Sequence, residues 1–294
     1  EMTVSAPPRE RVVGFGGDTR LSGILTIPEE ADLKGPTVVL LNSGLIHRVG
    51  ACRVSVKLAR KLASCGNPVL RFDFSGIGDS GPRPSGVSME EGRIREIRVA
   101  LDFLASESMG SRFVLYGLCS GARDAFHSAL EDARVCGLVQ IDGFAYRTGL
   151  HHLVHYGRRI LKPGAWARYV RRKILEFRTR DRLPSNHDPG EDMILEVWPD
   201  YPPRSVVAEG YRTLVRRGVR FHIIFTGSWE DEYNYPRQFF HMYPEVDFGE
   251  SVTLRYMPHA VHILPQPHVQ REVMEGVVSW VKSETWRGAE ADDE

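Results

Sequence analysis

The sequence predicts an α/β fold in which a mostly parallel sheet is flanked by helices. Three observations carry this. Short apolar runs such as "TVVLLN" (37–42) and "PVLRFDF" (68–74) have the length and β-branched content of strands buried on both faces. Segments with helical spacing separate them. The alternation persists through most of the 294 residues, so right-handed crossovers must link neighbouring parallel strands.

In chain order, residues 11–27 form two strands joined at Gly16-Gly17-Asp18, with Pro28 ending the second. Strand 37–42 follows Gly35-Pro36, and helix 53–66 stops at Gly66. Strand 68–74 leads to helix 94–107, whose Ile94, Ile97, Ala100, Leu101 and Leu104 share one side. Next come strand "RFVLYG", a helix over 119–133 and strand 136–142. A helix in "RSVVAEGYRTLVRRG", strands 219–227 and 251–257, and helix 268–283 complete the pattern. Residues 144–203 break it. This stretch of about 60 residues is too long for an ordinary connection and reads as a helical lid over the carboxyl edge of the sheet. The expected organisation is a core of 1–143 and 204–285, a lid of 144–203 and a frayed polar tail of 286–294.

Composition narrows the function. The chain is 42% hydrophobic and 26% charged, with formal net charge zero and pI near 7.4, which argues against a nucleic-acid or membrane partner. No run approaches the roughly 18 apolar residues of a membrane span, and the opening stretch lacks the order of a secretory signal. The four cysteines, Cys52, Cys65, Cys119 and Cys136, show no C-x-x-C spacing. Reduced thiols in the cytoplasm are expected, without a zinc site or cofactor.

The chemistry centres on "RFVLYGLCSGARDAF" (112–126). Gly117-Leu118-Cys119-Ser120-Gly121 is a G-x-S-x-G box with cysteine at its centre, set between a buried strand and a helix. Such an elbow forces strained angles on its middle residue, and the flanking glycines make room for it. A packed thiol would be the structural alternative. The helix N-terminus favours a thiolate, so Cys119 is the expected nucleophile. Ser120, one residue past the apex, would contribute its backbone N–H to an oxyanion hole. The second donor is expected near Leu45, in the turn Asn42-Ser43-Gly44-Leu45. His47 and Arg48 follow, either facing an anionic substrate group or beginning a surface loop.

With this elbow, acid and histidine follow the nucleophile in sequence, each after its strand. "VTLRYMPHAVHIL" offers His262 as base, with His259 as runner-up. The acid is expected after "FHIIFTG", where Ser228-Trp229-Glu230-Asp231-Glu232 points to Glu230, with Asp231 second. The lid histidines His151, His152, His155 and His187 show no metal-ligand spacing and read as substrate-facing or surface residues.

With these pieces placed, the chain resembles the α/β-hydrolases over nearly its whole length. "VLRFDFSGIGDSG" (69–81) is similar to the serine-aminopeptidase-like branch. "HRVG" (47–50), "LARKLASCGNPVLRFDFSGIGDS", "GLCSGA" and "YNY" (233–235) resemble the exosortase-associated hydrolases of biosynthetic gene clusters. Dienelactone hydrolases and polyhydroxyalkanoate synthases resemble it at the box alone, where they too carry cysteine. Val261 departs from the pattern, since many relatives place an Asp before the histidine.

An acyl-cysteine is itself a thioester, so it can hand its acyl group to an amine or alcohol if water is excluded. From Arg147 to Arg182 the lid carries eleven Lys/Arg against two acids, a field suited to an acyl carrier protein or coenzyme A, or simply the solvated face of lid helices. The expectation is an acyltransferase or thioesterase acting on an acyl thioester. A plain ester, lactone or amide hydrolase and a non-catalytic binding protein are the alternatives.

Overall fold

The structure is a computed structural model that describes residues 8–29, 35–83, 85–160, 202–283 and 286. Eight strands form one sheet: β1 (Arg9–Phe15), β2 (Leu21–Ile27), β3 (Thr37–Leu40), β4 (Val69–Phe72), β5 (Phe113–Leu118), β6 (Val135–Ile141), β7 (Arg220–Thr226) and β8 (Val252–Met257). Their spatial order is β1-β2-β4-β3-β5-β6-β7-β8. The pairs β1–β2 and β2–β4 are antiparallel and the rest are parallel. The helices are α1 (Val54–Ala63), α2 (Met89–Ser106), α3 (Ser120–Glu131), α4 (Gly149–Ile160), α5 (Arg204–Arg216), α6 (Gln238–Met242) and α7 (Pro267–Val281).

The period-2 geometry of strands explains why their apolar runs are continuous. Val39, Phe113 and Leu115 face one core, shared with Ile97 of α2, Ala125 of α3 and Val207 of α5. Their neighbours Val38, Leu40, Val114 and Tyr116 face the other, shared with Leu58 of α1 and Val273 of α7. A strand covered on both faces has no solvent side to mark with polar residues.

Three boundaries differ from expectation. Helix α2 starts five residues earlier, because Ser88 caps it and accepts a hydrogen bond from Glu91 N at 3.3 Å. That is the first half of a capping box, S-x-x-E, which the apolar spacing alone does not reveal. The short helix α6 was not expected. At the other end, Trp286 is not part of a frayed tail. Its indole donates to Val281 O at 2.7 Å and lies where a Cβ on Gly137 would collide with it. Of the expected lid, residues 161–201 lie outside the described residues, as do 287–294 of the expected tail. Among the described residues no helix is long and apolar enough to cross a membrane, and no cluster of side chains could hold a metal ion.

Candidate active site

Parallel strands deliver their carboxyl ends to one edge, and the site assembles there. At the end of β5 the chain turns into α3 through Cys119, whose backbone sits at φ 58 and ψ −117. Two close approaches hold this strained turn. A Cβ on Gly117 would fall well under 3.0 Å from the Gly121 backbone, and one on Gly121 would meet the Asn42 carbonyl equally closely. Gly117→Ala is therefore expected to cost at least about 3 kcal/mol by overpacking at a backbone that cannot yield. Chemical denaturation, read as a fall in midpoint at unchanged slope, checks this. Cys119 is buried, and its side chain caps nothing on α3 but meets His262 in the loop after β8.

That loop carries His262. Its backbone N–H donates to Ser228 Oγ at 3.0 Å, and its Nδ1 lies 2.7 Å from Asp142 Oδ2. Asp142 directly follows β6, at φ 48, and is fully buried. Its two oxygens also accept from Thr226 N and Thr226 Oγ1, each at 2.7 Å. The indole Nε1 of Trp229 stands 3.1 Å from the same Nδ1. One nitrogen cannot donate to the carboxylate and accept from the indole at once. The shorter, charge-assisted contact prevails, so Nδ1 carries the proton toward Asp142. Nε2 is then the nitrogen left for Cys119. Burial alone would lower His262, but the hydrogen bonds and charges of Asp142 and Cys119 outweigh it and push the imidazole up to about 9.

The carboxylate that meets His262 is Asp142, not either of the acids expected from the sequence. Glu230 and Asp231 are exposed, and neither carboxylate meets His262. Instead their backbone carbonyls accept from His151 Nε2 at 3.3 Å and Arg147 Nε at 2.9 Å. The reason is the tight 3-10 turn Gly227–Trp229, which brings Ser228 and the indole to the imidazole and sends the acids outward. Gly227 itself lies against the Pro258 carbonyl, which leaves that turn no slack. Asp142 had a sequence signal of a kind: it closes the strand "CGLVQID", one station before the one searched. His259, the runner-up base, points away and contacts Glu272 at 3.3 Å.

The turn after β3 is built from both sides. Asn42 Nδ2 donates to Ile46 O at 2.9 Å, and its Oδ1 accepts from Phe74 N at 2.9 Å. Gly44, at φ 56, donates its N–H to Ser120 Oγ at 2.8 Å, and its carbonyl accepts from Arg93 Nη2 at 3.1 Å. Because a trans peptide sets N–H opposite C=O, anchoring the Gly44 carbonyl on Arg93 turns the Leu45 N–H the other way. Ser120 thus contributes a side chain to this turn as well as a helix-heading N–H. Arg93 was not expected here. It comes from α2, is itself held by Asp124 of α3 at 3.1 Å, and lies over the Phe74 ring. Burial pushes Asp124 up to about 6 despite the pull of Arg93.

Arg48, expected either to face an anionic substrate group or to begin a surface loop, is held by two carboxylates. Its guanidinium binds the buried Asp73 and the exposed Asp79, and Asp73 also accepts from Asn42 Nδ2 at 3.2 Å. This brace fixes the turn to the end of β4. His47 is exposed beside it. Of the expected lid histidines, His151 is buried rather than substrate-facing, and Asn234 Nδ2 donates to its carbonyl at 3.1 Å. His187 lies outside the described residues.

No family model and no curated protein matches the chain. Solved structures do. An esterase from Pyrococcus furiosus aligns with a TM-score of 0.59 at 16% identity, covering 94% of this chain and 90% of that one. A hypothetical protein from Pseudomonas aeruginosa aligns at 0.58 and 15%, covering 95% and 94%. An α/β serine hydrolase without a lid, from Xanthomonas campestris, aligns at 0.53 and 15%, covering 94% and 96%. The chain has the α/β-hydrolase fold.

Proposed function

We propose that this protein is an acyl-transfer enzyme working through an acyl-Cys119 intermediate, with His262 as base and Asp142 as the acid that orients it. The observation that carries this reading is the line of groups from the strained Cys119 through His262 to the buried Asp142. A raised imidazole next to a thiol favours the thiolate–imidazolium pair.

The reaction runs in two halves. The Cys119 thiolate attacks the acyl carbonyl carbon, and negative charge gathers on the carbonyl oxygen, where the N–H groups of Ser120 and Leu45 would receive it. When the carbonyl reforms, the bond to the leaving group breaks, and the leaving atom takes the proton from His262 Nε2. Acyl-Cys119 and neutral His262 remain. An acceptor alcohol, amine or water then gives its proton to Nε2 as it attacks the thioester carbon, and Cys119 departs as thiolate. Asp142 keeps Nδ1 protonated throughout, so Nε2 is the nitrogen that gives a proton in the first half and takes one in the second.

The substrate class proposed is an acyl thioester, on coenzyme A or an acyl carrier protein. Support comes from the nucleophile, since thiol–thioester exchange is nearly balanced in energy, and from the basic excess counted between Arg147 and Arg182. A plain hydrolase with the same groups is favoured by the fold neighbours described as esterases and hydrolases.

Intact-mass analysis with a panel of acyl-coenzyme A and acyl-pantetheine donors tests both readings. One acyl group should add to the protein and vanish in Cys119→Ala. An adduct that survives this substitution overturns the proposal. With an added amine, amide product marks transfer and free acid marks hydrolysis. A thiol that neither acylates nor reacts with iodoacetamide near neutral pH would mark a binding protein.

A further inference from the structure

The turn that carries the Leu45 N–H does not hold its own shape. Ile46 N donates to Ser43 O at 3.0 Å and closes a β-turn whose central peptide joins Gly44 to Leu45. Such a closing bond engages the outer residues and leaves the central C=O and N–H unbound within the turn. Packing adds little, since the Leu45 side chain is 66% exposed and a Cβ on Gly44 would meet nothing within 4 Å. Gly44 sits at φ 56, and glycine takes either sign of φ about as readily. Ser120 Oγ holds the Gly44 N–H at 2.8 Å, but that fixes the preceding peptide. The direction of the Leu45 N–H therefore depends on what holds the Gly44 carbonyl.

The holder is Arg93 Nη2, at 3.1 Å. The guanidinium is buried, its Nε has no hydrogen-bond partner among the described residues, and it lies over the Phe74 ring at 5.2 Å. Asp124 Oδ2, 3.1 Å from Nη1, is the one carboxylate paired with it among the described residues. In a buried pair each charge depends on the other, because losing one leaves the second uncompensated. The charges that reach Asp124 are Arg93 and Glu90 from α2 and Arg123 beside it on α3. His127, a turn further along α3, approaches Glu90 at 3.7 Å. Burial, with a smaller push from Glu90, raises the Asp124 carboxyl to about 6 against the pull of both arginines.

We propose that Arg93 and Asp124 are positioning residues for the oxyanion hole: the ionised pair clamps the Gly44 carbonyl and aims the Leu45 N–H, and a proton on Asp124 releases the clamp. The clamp is in place above about pH 6 and is lost as pH falls through that value. Its effect on rate rests on the acyl-Cys119 reading. The coupling of Asp124 to Leu45 does not.

Full-length protein labelled with ¹⁵N-leucine tests the coupling by NMR without any substrate. The Leu45 amide should titrate with a midpoint near 6 in the parent and lose that midpoint in Asp124→Asn. A Leu45 amide that shows no such midpoint, or keeps it in Asp124→Asn, overturns the proposal whether or not Cys119 acylates. A second measurement compares two reactions of Cys119. Acylation builds an oxyanion, whereas alkylation by iodoacetamide does not. One oxyanion donor is worth about 10²- to 10³-fold, so Arg93→Ala and Asp124→Asn should acylate at least about tenfold more slowly, with alkylation within about threefold of the parent. Guanidinium ion at millimolar concentration should restore part of the acylation rate in Arg93→Ala. Where that variant does not fold, Arg93→Lys, which keeps the charge but not the two-pronged reach, carries the same comparison. Unchanged acylation, or equal losses in both reactions, overturns the positioning role. A parent whose Leu45 amide titrates as expected but which forms no acyl adduct retains the clamp and rejects the acyl-enzyme reading.

Discussion

Replacing Cys119 by alanine is expected to lower kcat/KM on any accepted acyl thioester by about 10⁴-fold or more, with the fold retained. Groups that act as a unit lose nearly their full effect when the nucleophile goes, and what remains comes from the oxyanion donors and binding. The buried alanine still fits the elbow as far as volume goes, because Cys119 makes no capping hydrogen bond that the fold would miss. Cys119→Ser separates two explanations of the thiol. If thiol chemistry matters, the serine variant should also fall sharply, since an alkoxide is harder to form and a poorer leaving group than a thiolate. Steady-state assays beside thermal melts check both. Activity within tenfold of the parent in Cys119→Ala would remove the nucleophile from the mechanism.

Asp142→Asn is the second large effect, an expected fall in kcat of roughly 10³- to 10⁴-fold with little change in size or packing. An amide can still meet Nδ1, but it donates as readily as it accepts, so the proton moves and Nε2 is no longer a dependable base. Glu230→Gln and Asp231→Asn should stay within about threefold, as exposed loop charges do. The same substitution has a pH signature. His262 titrates near 9 in the folded protein against 6.5 unperturbed, so the stability it contributes is fully present below about 6.5 and lost as pH rises through 9. Asp142→Asn removes the leading group that raises the imidazole. The His262 resonances should then titrate at distinctly lower pH, and the stability gained on the acid side should shrink. An unchanged His262 titration would assign the acid elsewhere.

The contrast between Asp142 and Glu230 shows what a sequence can and cannot reveal here. Cys119 was legible because the elbow is a local device: strand, glycine, apex, glycine and helix are contiguous, and each constrains the next. The histidine was legible only as a pair, since His259 and His262 both lie between the last parallel strand and the last helix, and it is the contact of His259 with Glu272 that turns it away. The acid depends on something neither local nor ordered along the chain. It depends on which of two adjacent strand ends, β6 or β7, aims its carboxylate at the imidazole, and that was decided by Thr226 binding Asp142 and by a turn three residues long. Arg93 was hidden for a similar reason. Its position on α2 is unremarkable in sequence, and only the crossing of α2 beside α3 brings it to the Gly44 carbonyl. The pairing of Arg48 was hidden too, because its buried counter-ion, Asp73, lies 25 residues further along the chain.

That the proposed acid follows β6 has a consequence for how such a protein can diversify. Where the acid follows β7, that loop is bound to the chemistry, and few changes in it are tolerated. Here residues beyond Trp229 carry no share of the proposed triad, so the run Glu230-Asp231-Glu232 is released from that constraint. Random variation over these three positions should leave many proteins active.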